Sequence, residues 1–215
     1  MKIRIDLKII IFLILFYLTN QIEIYLTILF FCIIHELGHL FTGLALKLKP
    51  ENIEIMPYGL SVKLKTNPKD VNKKIGKGNI LEVKKIIIAL AGPIVSLALS
   101  IIFLYIDPIF ITKQDAVYSN ILILLFNLIP LYPLDGGRII KSILHIKYGN
   151  KFSKKFVYIM SNIIMIILSF IFSIAVFYFQ NIAYFLICIL LWIITLEENK
   201  KYRNYIKLND ILNNE

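Results

Sequence analysis

The chain has 215 residues, of which 58% are hydrophobic and only 18% are charged, and its mean hydropathy is +0.75. These values are too apolar for an ordinary soluble domain. The two cysteines, Cys32 and Cys188, both lie inside apolar runs, so neither their number nor their position supports a disulfide framework, and both are predicted to be small buried hydrophobic side chains. The predicted fold class is an α-helical polytopic membrane protein.

Apolar runs recur along the whole chain, and about 20 apolar residues are needed to cross a bilayer. The predicted transmembrane helices cover residues 9–18, 22–46, 86–106, 116–131, 156–179 and 182–196. The short segments 19–21 and 180–181 are typical of tight turns between paired helices. Residues 1–199 are thus predicted to form one transmembrane domain, with 200–215 as a short cytoplasmic tail.

The second run contains the sequence HELGH at residues 35–39. Ionisable side chains are costly in lipid, so each is a candidate for a functional role. His35 and His39 are one helical turn apart on the same face, and both imidazoles can point at one metal ion while Glu36 acts as a base for its water. This is the HExxH pattern of zinc hydrolases. The alternative, in which the histidines only hydrogen-bond between helices, leaves the glutamate unexplained.

A catalytic zinc site needs a third protein ligand and an open position for water. Glu23 is at the far end of the same predicted helix and is too distant from His35. His145 lies among lysines, which favours an interfacial position. Cys32 shares a helical face with the motif and is the weaker candidate. Asp135 is the remaining acidic candidate, and its sequence context is unusual.

Residues 51–66, ENIEIMPYGLSVKLKT, alternate apolar and polar side chains around a Pro-Tyr-Gly turn. The apolar positions are Ile53, Ile55, Leu60, Val62 and Leu64. This period predicts a small β-hairpin with one apolar face after the second helix. Such a hairpin either rests on lipid headgroups or binds an unwound substrate as an additional strand.

Asp135 occurs in NLIPLYPLDGGRI, residues 127–139. Pro130 and Pro133 interrupt the fourth predicted helix, and Gly136 and Gly137 follow the aspartate directly. This pattern favours an unwound helix end that turns the carboxylate into the helix bundle. A simple cytoplasmic turn is the alternative.

Lysine and arginine are distributed unevenly between the predicted loops. They number three before the first run, none at 19–21, ten at 47–85, one at 107–115, six at 132–155, none at 180–181 and four after 196. This alternation places both termini and the loops at 47–85 and 132–155 in the cytoplasm. The net charge of +10 is explained by topology and lipid headgroups, so no nucleic-acid partner is predicted.

Three motifs in order, HELGH, LAGP at 90–93 and NLIPLYPLDGG at 127–137, resemble those of the site-2 protease family of intramembrane zinc metalloproteases. The resemblance extends over nearly the whole chain and is strongest to the sporulation members of the family. It implies one zinc ion (Zn2+) per chain, and that the small β-hairpin at residues 51–66 is membrane-associated. The implied zinc ligands are His35, His39 and Asp135, the general base is Glu36, and the residues that help to place substrate are Asn127 and Pro133.

Two features depart from the family pattern. Many relatives have an asparagine at the position of Ser96, so a polar role there is not implied. Ala89, Gly92, Ser96 and Ser100 line one helix face and allow close helix packing. Longer sporulation members carry a C-terminal nucleotide-binding CBS domain, whereas 19 residues follow the last apolar run here, so regulation by that domain is not implied.

The resemblance implies regulated proteolysis of a membrane-associated protein near the cytoplasmic face of a bacterial cell membrane. The implied substrate is a sporulation sigma-factor precursor, with membrane-anchored inhibitory partners. A transmembrane anti-sigma factor is an alternative substrate for the same chemistry. Among other classes, a metal-cation transporter would distribute ionisable residues through the membrane, and an inactive adaptor would not need Glu36.

Overall fold

The computed structural model describes residues 2–5, 7–56, 59–65 and 78–213. The helices are α1 (Lys8–Leu18), α2 (Ile22–Ala45), α3 (Gly78–Tyr105), α4 (Lys113–Leu128), α5 (Asp135–Phe179) and α6 (Ala183–Asn213). The strands are β1 (Lys2–Ile5), β2 (Lys49–Met56) and β3 (Gly59–Lys65). The chain divides into two compact units, the first ending at Leu128 and the second beginning at Ile129. The turn predicted at Pro57 and Tyr58 lies outside the described residues.

Each predicted apolar run coincides for most of its length with one helix, which supports the predicted helical membrane protein. Within the described part of the chain, three helical stretches are long and apolar enough to cross a membrane: Ile22–Ala45, Ile80–Tyr105 and Asp135–Phe179. The apolar helix Ile9–Leu18 is shorter. Helix α4 has only 16 residues, and charged residues follow the apolar part of α6 directly. Membrane crossing by α1, α4 and α6 therefore remains a prediction.

Helix α2 is the centre of the first unit, where it contacts α1, α3 and α4. Phe31, Ala116 and Ile123 form the buried apolar cluster between these helices. Gly38 permits the close approach of α2 and α3, because a Cβ there would lie 2.8 Å from Val95 Cγ2. The predicted small face of α3 is buried, as expected for close helix packing.

A three-stranded sheet in the order β1-β2-β3 completes the first unit. Strands β2 and β3 are antiparallel, with Ile53 opposite Val62 and Ile55 opposite Leu60, in agreement with the alternation in the sequence. Strand β1 is parallel to β2 and was not predicted, since its four residues are too few to show a period. Strand β3 is an edge of this sheet and contacts α2. Its association with a membrane remains a prediction.

Two predictions around residue 135 are wrong. The fourth helix was expected to extend to residue 131 and residues 132–155 to form a loop, but α4 ends at Leu128 and the LDGG sequence opens α5. The prolines stop α4, whereas no proline follows Asp135 to stop the next helix. Helical structure continues to Phe179, but α5 consists of two helical segments that meet at a kink at Gly149 (φ 82°, ψ 172°). Its lysines are therefore on a helix surface and not in a loop.

In the second unit α5 packs against α6. Val157, Met165 and Leu191 are buried. Trp192 Nε1 donates a hydrogen bond to Ser169 Oγ at 2.8 Å. In the most apolar 18-residue stretch of α5, only 11% is buried inside the protein. This exposure is consistent with contact to lipid. Most of the predicted tail belongs to α6, which ends at Asn213.

Candidate active site

His35 and His39 both lie on α2 and are almost fully buried, with 2% and 4% of their surfaces exposed. Their ring centroids are 4.9 Å apart and the ring planes are nearly perpendicular. This is the arrangement expected for two residues one helical turn apart on the same face. The two imidazoles are therefore close enough to serve one ion.

Helix α3 orients both rings through their Nδ1 atoms. His39 Nδ1 is 2.6 Å from the carbonyl oxygen of Ile88. A carbonyl oxygen can only accept, so Nδ1 carries the proton and Nε2 has the lone pair that a metal requires. The backbone nitrogen of Gly92 is also 3.3 Å from this Nδ1, but the shorter contact to the carbonyl determines the tautomer. His35 Nδ1 is 2.9 Å from Ser96 Oγ, which can accept its proton in the same way.

Gly92, in the LAGP motif, leaves room for the two Nε2 atoms. A Cβ at this position would lie 2.5 Å from Nε2 of His35 and still closer to Nε2 of His39. Real Cβ atoms do not approach other heavy atoms so closely. Any larger residue at position 92 would therefore overlap the imidazoles, a steric requirement that the sequence alone does not reveal.

Asp135 is the first residue of α5 and is 3% exposed. Its Oδ1 atom is 3.5 Å from Nη1 of Arg138, one turn further along the helix. The positive end of the helix dipole and the guanidinium both stabilise negative charge on this carboxylate, the form that binds cations. Arg138 was not predicted, although its spacing of three residues from Asp135 is a recognisable signal.

The segment before Asp135 is held against α5. A Cβ on Gly137 would lie 2.5 Å from the backbone nitrogen of Tyr132, so only glycine permits this contact. The Tyr132 N–H donates to Ser161 Oγ at 3.0 Å, and the Leu134 N–H donates to the Leu131 carbonyl at 2.8 Å. These contacts fix the chain direction where the carboxylate emerges.

The first unit contributes the buried imidazoles of His35 and His39, and the second unit contributes the buried carboxylate of Asp135. The chemistry of two neutral imidazoles and one carboxylate suits zinc. Glu36 directly follows His35 on α2 and is half-buried. Glu23 is exposed at the start of the same helix.

Other predicted residues are placed as follows. Asn127 Nδ2 donates to the Ile123 carbonyl within α4 at 3.1 Å. Pro133 is half-buried, and its peptide bond with Tyr132 is cis. His145 is half-buried on α5, and Cys32 carries a free thiol on α2. Neither belongs to the set of zinc ligands that the motifs imply.

The sequence profile of peptidase family M50 matches residues 23–113 and 113–172. This match covers most of the chain, and the protein belongs to that family. The structure is similar to the site-2 protease from Methanocaldococcus jannaschii, with a TM-score of 0.66 and 27% identity, covering 92% of this chain and 90% of that one. The resemblance inferred from the motifs is confirmed.

Two curated relatives match a smaller part of the chain. A zinc metalloprotease of Methanocaldococcus jannaschii is 33% identical over 124 residues, which are 54% of this chain and 33% of that protein. Stage IV sporulation protein FB of Bacillus subtilis is 24% identical over 127 residues, which are 57% of this chain and 41% of that protein. The matched region thus spans well under half the length of either relative.

Proposed function

We propose that this protein is an intramembrane zinc metalloprotease with His35, His39 and Asp135 as zinc ligands. The observation that carries the proposal is the buried histidine pair, whose rings are oriented through their Nδ1 atoms by α3. The space left by Gly92 supports it, because that space accommodates the Nε2 atoms. Membership of peptidase family M50 supports the same chemistry.

Each residue has a defined role in this proposal. Bound zinc supplies a Lewis acid that polarises the scissile carbonyl and acidifies water. Glu36 accepts a proton from the attacking water and returns it to the leaving amine. Ser96 and the Ile88 carbonyl hold the imidazoles in the ligating tautomer. Arg138 holds the Asp135 carboxylate at the start of α5.

The substrate in this proposal is a membrane-associated protein, cut near the cytoplasmic face of a bacterial cell membrane. The motif resemblance implies a sporulation sigma-factor precursor with membrane-anchored inhibitory partners, and a transmembrane anti-sigma factor is the alternative substrate. Similarity to a stage IV sporulation protein supports a role in sporulation. The lysine and arginine distribution favours cytoplasmic termini. Asn127 and Pro133, which flank the break between α4 and α5, help to place the substrate.

The proposal is tested by co-expressing the protein with tagged candidate substrates of both types. We expect a shortened product of at least one candidate, released into the soluble fraction and blocked by a membrane-permeant zinc chelator. Zinc uptake by proteoliposomes without cleavage of any candidate would instead favour the metal-cation transporter.

Asp135→Asn is expected to lower zinc retention and cleavage together, because an amide oxygen is a poorer zinc ligand than a carboxylate. Zinc per protein is measured by mass spectrometry after dialysis against a weak chelator. The matched control is Asp115→Asn, at an exposed carboxylate in the first turn of α4. Wild-type zinc content in the Asp135 variant would make this residue a substrate-side group instead of a ligand.

Ser96→Ala is expected to weaken zinc affinity by about tenfold, because loss of a hydrogen-bond partner of a ligating histidine typically costs 10–100-fold. Ser100→Ala is the control, since Ser100 lies one turn further along α3, is also buried, and donates to the Leu97 carbonyl. Zinc affinity is measured by competition with a chromophoric chelator. Equal affinities for the two variants would show that Ser96 only fills space.

A further inference from the structure

A cleft of about 270 Å³ lies between α5 and α6, and the proposed protease chemistry does not use it. Its lining includes three lysines, Lys141, Lys154 and Lys201, together with four tyrosines. A concave site with several cationic side chains and phenol groups is suited to a small anion. Whether the cleft can bind an anion depends on the net charge of the side chains that line it.

Two of the lysines face aromatic rings. Lys141 Nζ is 3.9 Å from the ring centroid of Tyr132, and Lys154 Nζ is 3.4 Å from that of Tyr205. Both lysines are half-buried, and neither forms an ion pair with a carboxylate within the described residues. A ring face attracts an ammonium group but does not neutralise it. Two positive charges therefore remain in the cleft.

The third lysine contributes little net charge. Lys201 Nζ donates to Glu198 Oε1 at 2.5 Å, and this hydrogen bond raises the pKa of Lys201. The two opposite charges offset one another at one side of the cleft. The Tyr158 and Tyr202 rings stack with centroids 4.5 Å apart and form part of the wall. The net charge of the lining is thus set by Lys141 and Lys154.

The cleft lies where both helices change from apolar to charged sequence. The apolar part of α5 begins at residue 156, after Lys154, and the apolar part of α6 ends at residue 196, before Glu198. Lysine and tyrosine at such a boundary are typical of the headgroup level of a membrane. Phosphate is the anion that both the headgroups and the adjoining solvent supply.

We propose that this cleft binds a phosphate group, supplied either by the headgroup of an anionic phospholipid or by a soluble phosphate ester. The Lys141 and Lys154 ammonium groups donate hydrogen bonds to the phosphate oxygens. The ligand also contacts Tyr132, whose backbone is held by Ser161. Phosphate binding therefore stabilises the packing of residues 129–134 on α5.

The test measures ligand-dependent thermal unfolding of the purified full chain in a neutral detergent. The added probes are phosphatidylglycerol, phosphatidylcholine and glycerol 3-phosphate, each titrated separately. We expect at least one of the two anionic probes to raise Tm, and phosphatidylcholine to have little effect. A lysine near an anionic surface contributes about fivefold, so Lys141→Gln with Lys154→Gln should weaken the apparent affinity roughly 25-fold.

The control is Lys151→Gln with Lys155→Gln, which removes the same formal charge from exposed positions on α5. A second variant, Lys141→Arg with Lys154→Arg, preserves the positive charge. It should retain binding if the loss of charge is what weakens binding in the glutamine variant. A response to phosphatidylglycerol alone assigns the ligand to the membrane, and a response to glycerol 3-phosphate assigns it to solvent. Equal responses of the two glutamine variants, or of phosphatidylcholine and phosphatidylglycerol, would overturn the proposal.

Discussion

Glu36→Gln is expected to retain zinc and to lose cleavage by roughly 10²–10⁴-fold, the usual contribution of a general base. The amide has nearly the shape of the carboxylate, but it cannot take a proton from water at neutral pH. The proposed ligands His35, His39 and Asp135 are unchanged in this variant, and so are the contacts of the histidines with α3. Zinc binding and catalysis should therefore separate.

The measurement compares zinc content and product formation in membranes that contain equal amounts of each protein. Glu23→Gln is the matched control, because Glu23 is exposed near the start of the same helix. We expect the control to cut substrate like the wild type. Near-normal cleavage by the Glu36 variant would refute the assignment of the base, and loss of zinc from it would show that Glu36 is part of the ligand set.

The histidine pair could be predicted because it depends on local geometry alone. The spacing of His35 and His39 fixes their common face in any α-helix, and the apolar surroundings made the ionisable residues conspicuous. The hairpin strands were also predictable, because their period of two extends over five apolar positions. Both features can be recognised in the sequence because each depends only on residues that are close together along the chain.

The contacts that orient the proposed ligands depend on tertiary packing, so they could not be predicted from residue spacing along the chain. Ser96 looked like one of several small packing residues, yet it contacts His35 across the helix interface. Arg138 was counted as a loop cation, because the two prolines before Asp135 suggested irregular structure beyond them. The long helix α5 shows that the polar stretch before residue 156 is helical, with the break confined to Gly149.

Gly92→Ala is expected to abolish zinc binding, and with it activity, although no proposed ligand is changed. The added methyl group would overlap the Nε2 atoms of both histidines. The rings cannot simply move aside, because their Nδ1 atoms are held by Ser96 and by the Ile88 carbonyl. Overpacking of a close interface costs about 1–3 kcal/mol in folding free energy, so the variant should still fold if the wild type has ordinary stability.

Gly38→Ala is the matched control for Gly92→Ala, because it adds the same methyl group to the same α2–α3 interface. Its Cβ would meet a Val95 methyl group at 2.8 Å instead of the imidazoles. Both variants should lower Tm, whereas only Gly92→Ala should lose zinc at a chelator concentration that leaves the control loaded. If both variants lost zinc in proportion to their loss of stability, Gly92 would be a helix-packing residue, and the steric argument for its place at the metal site would fail.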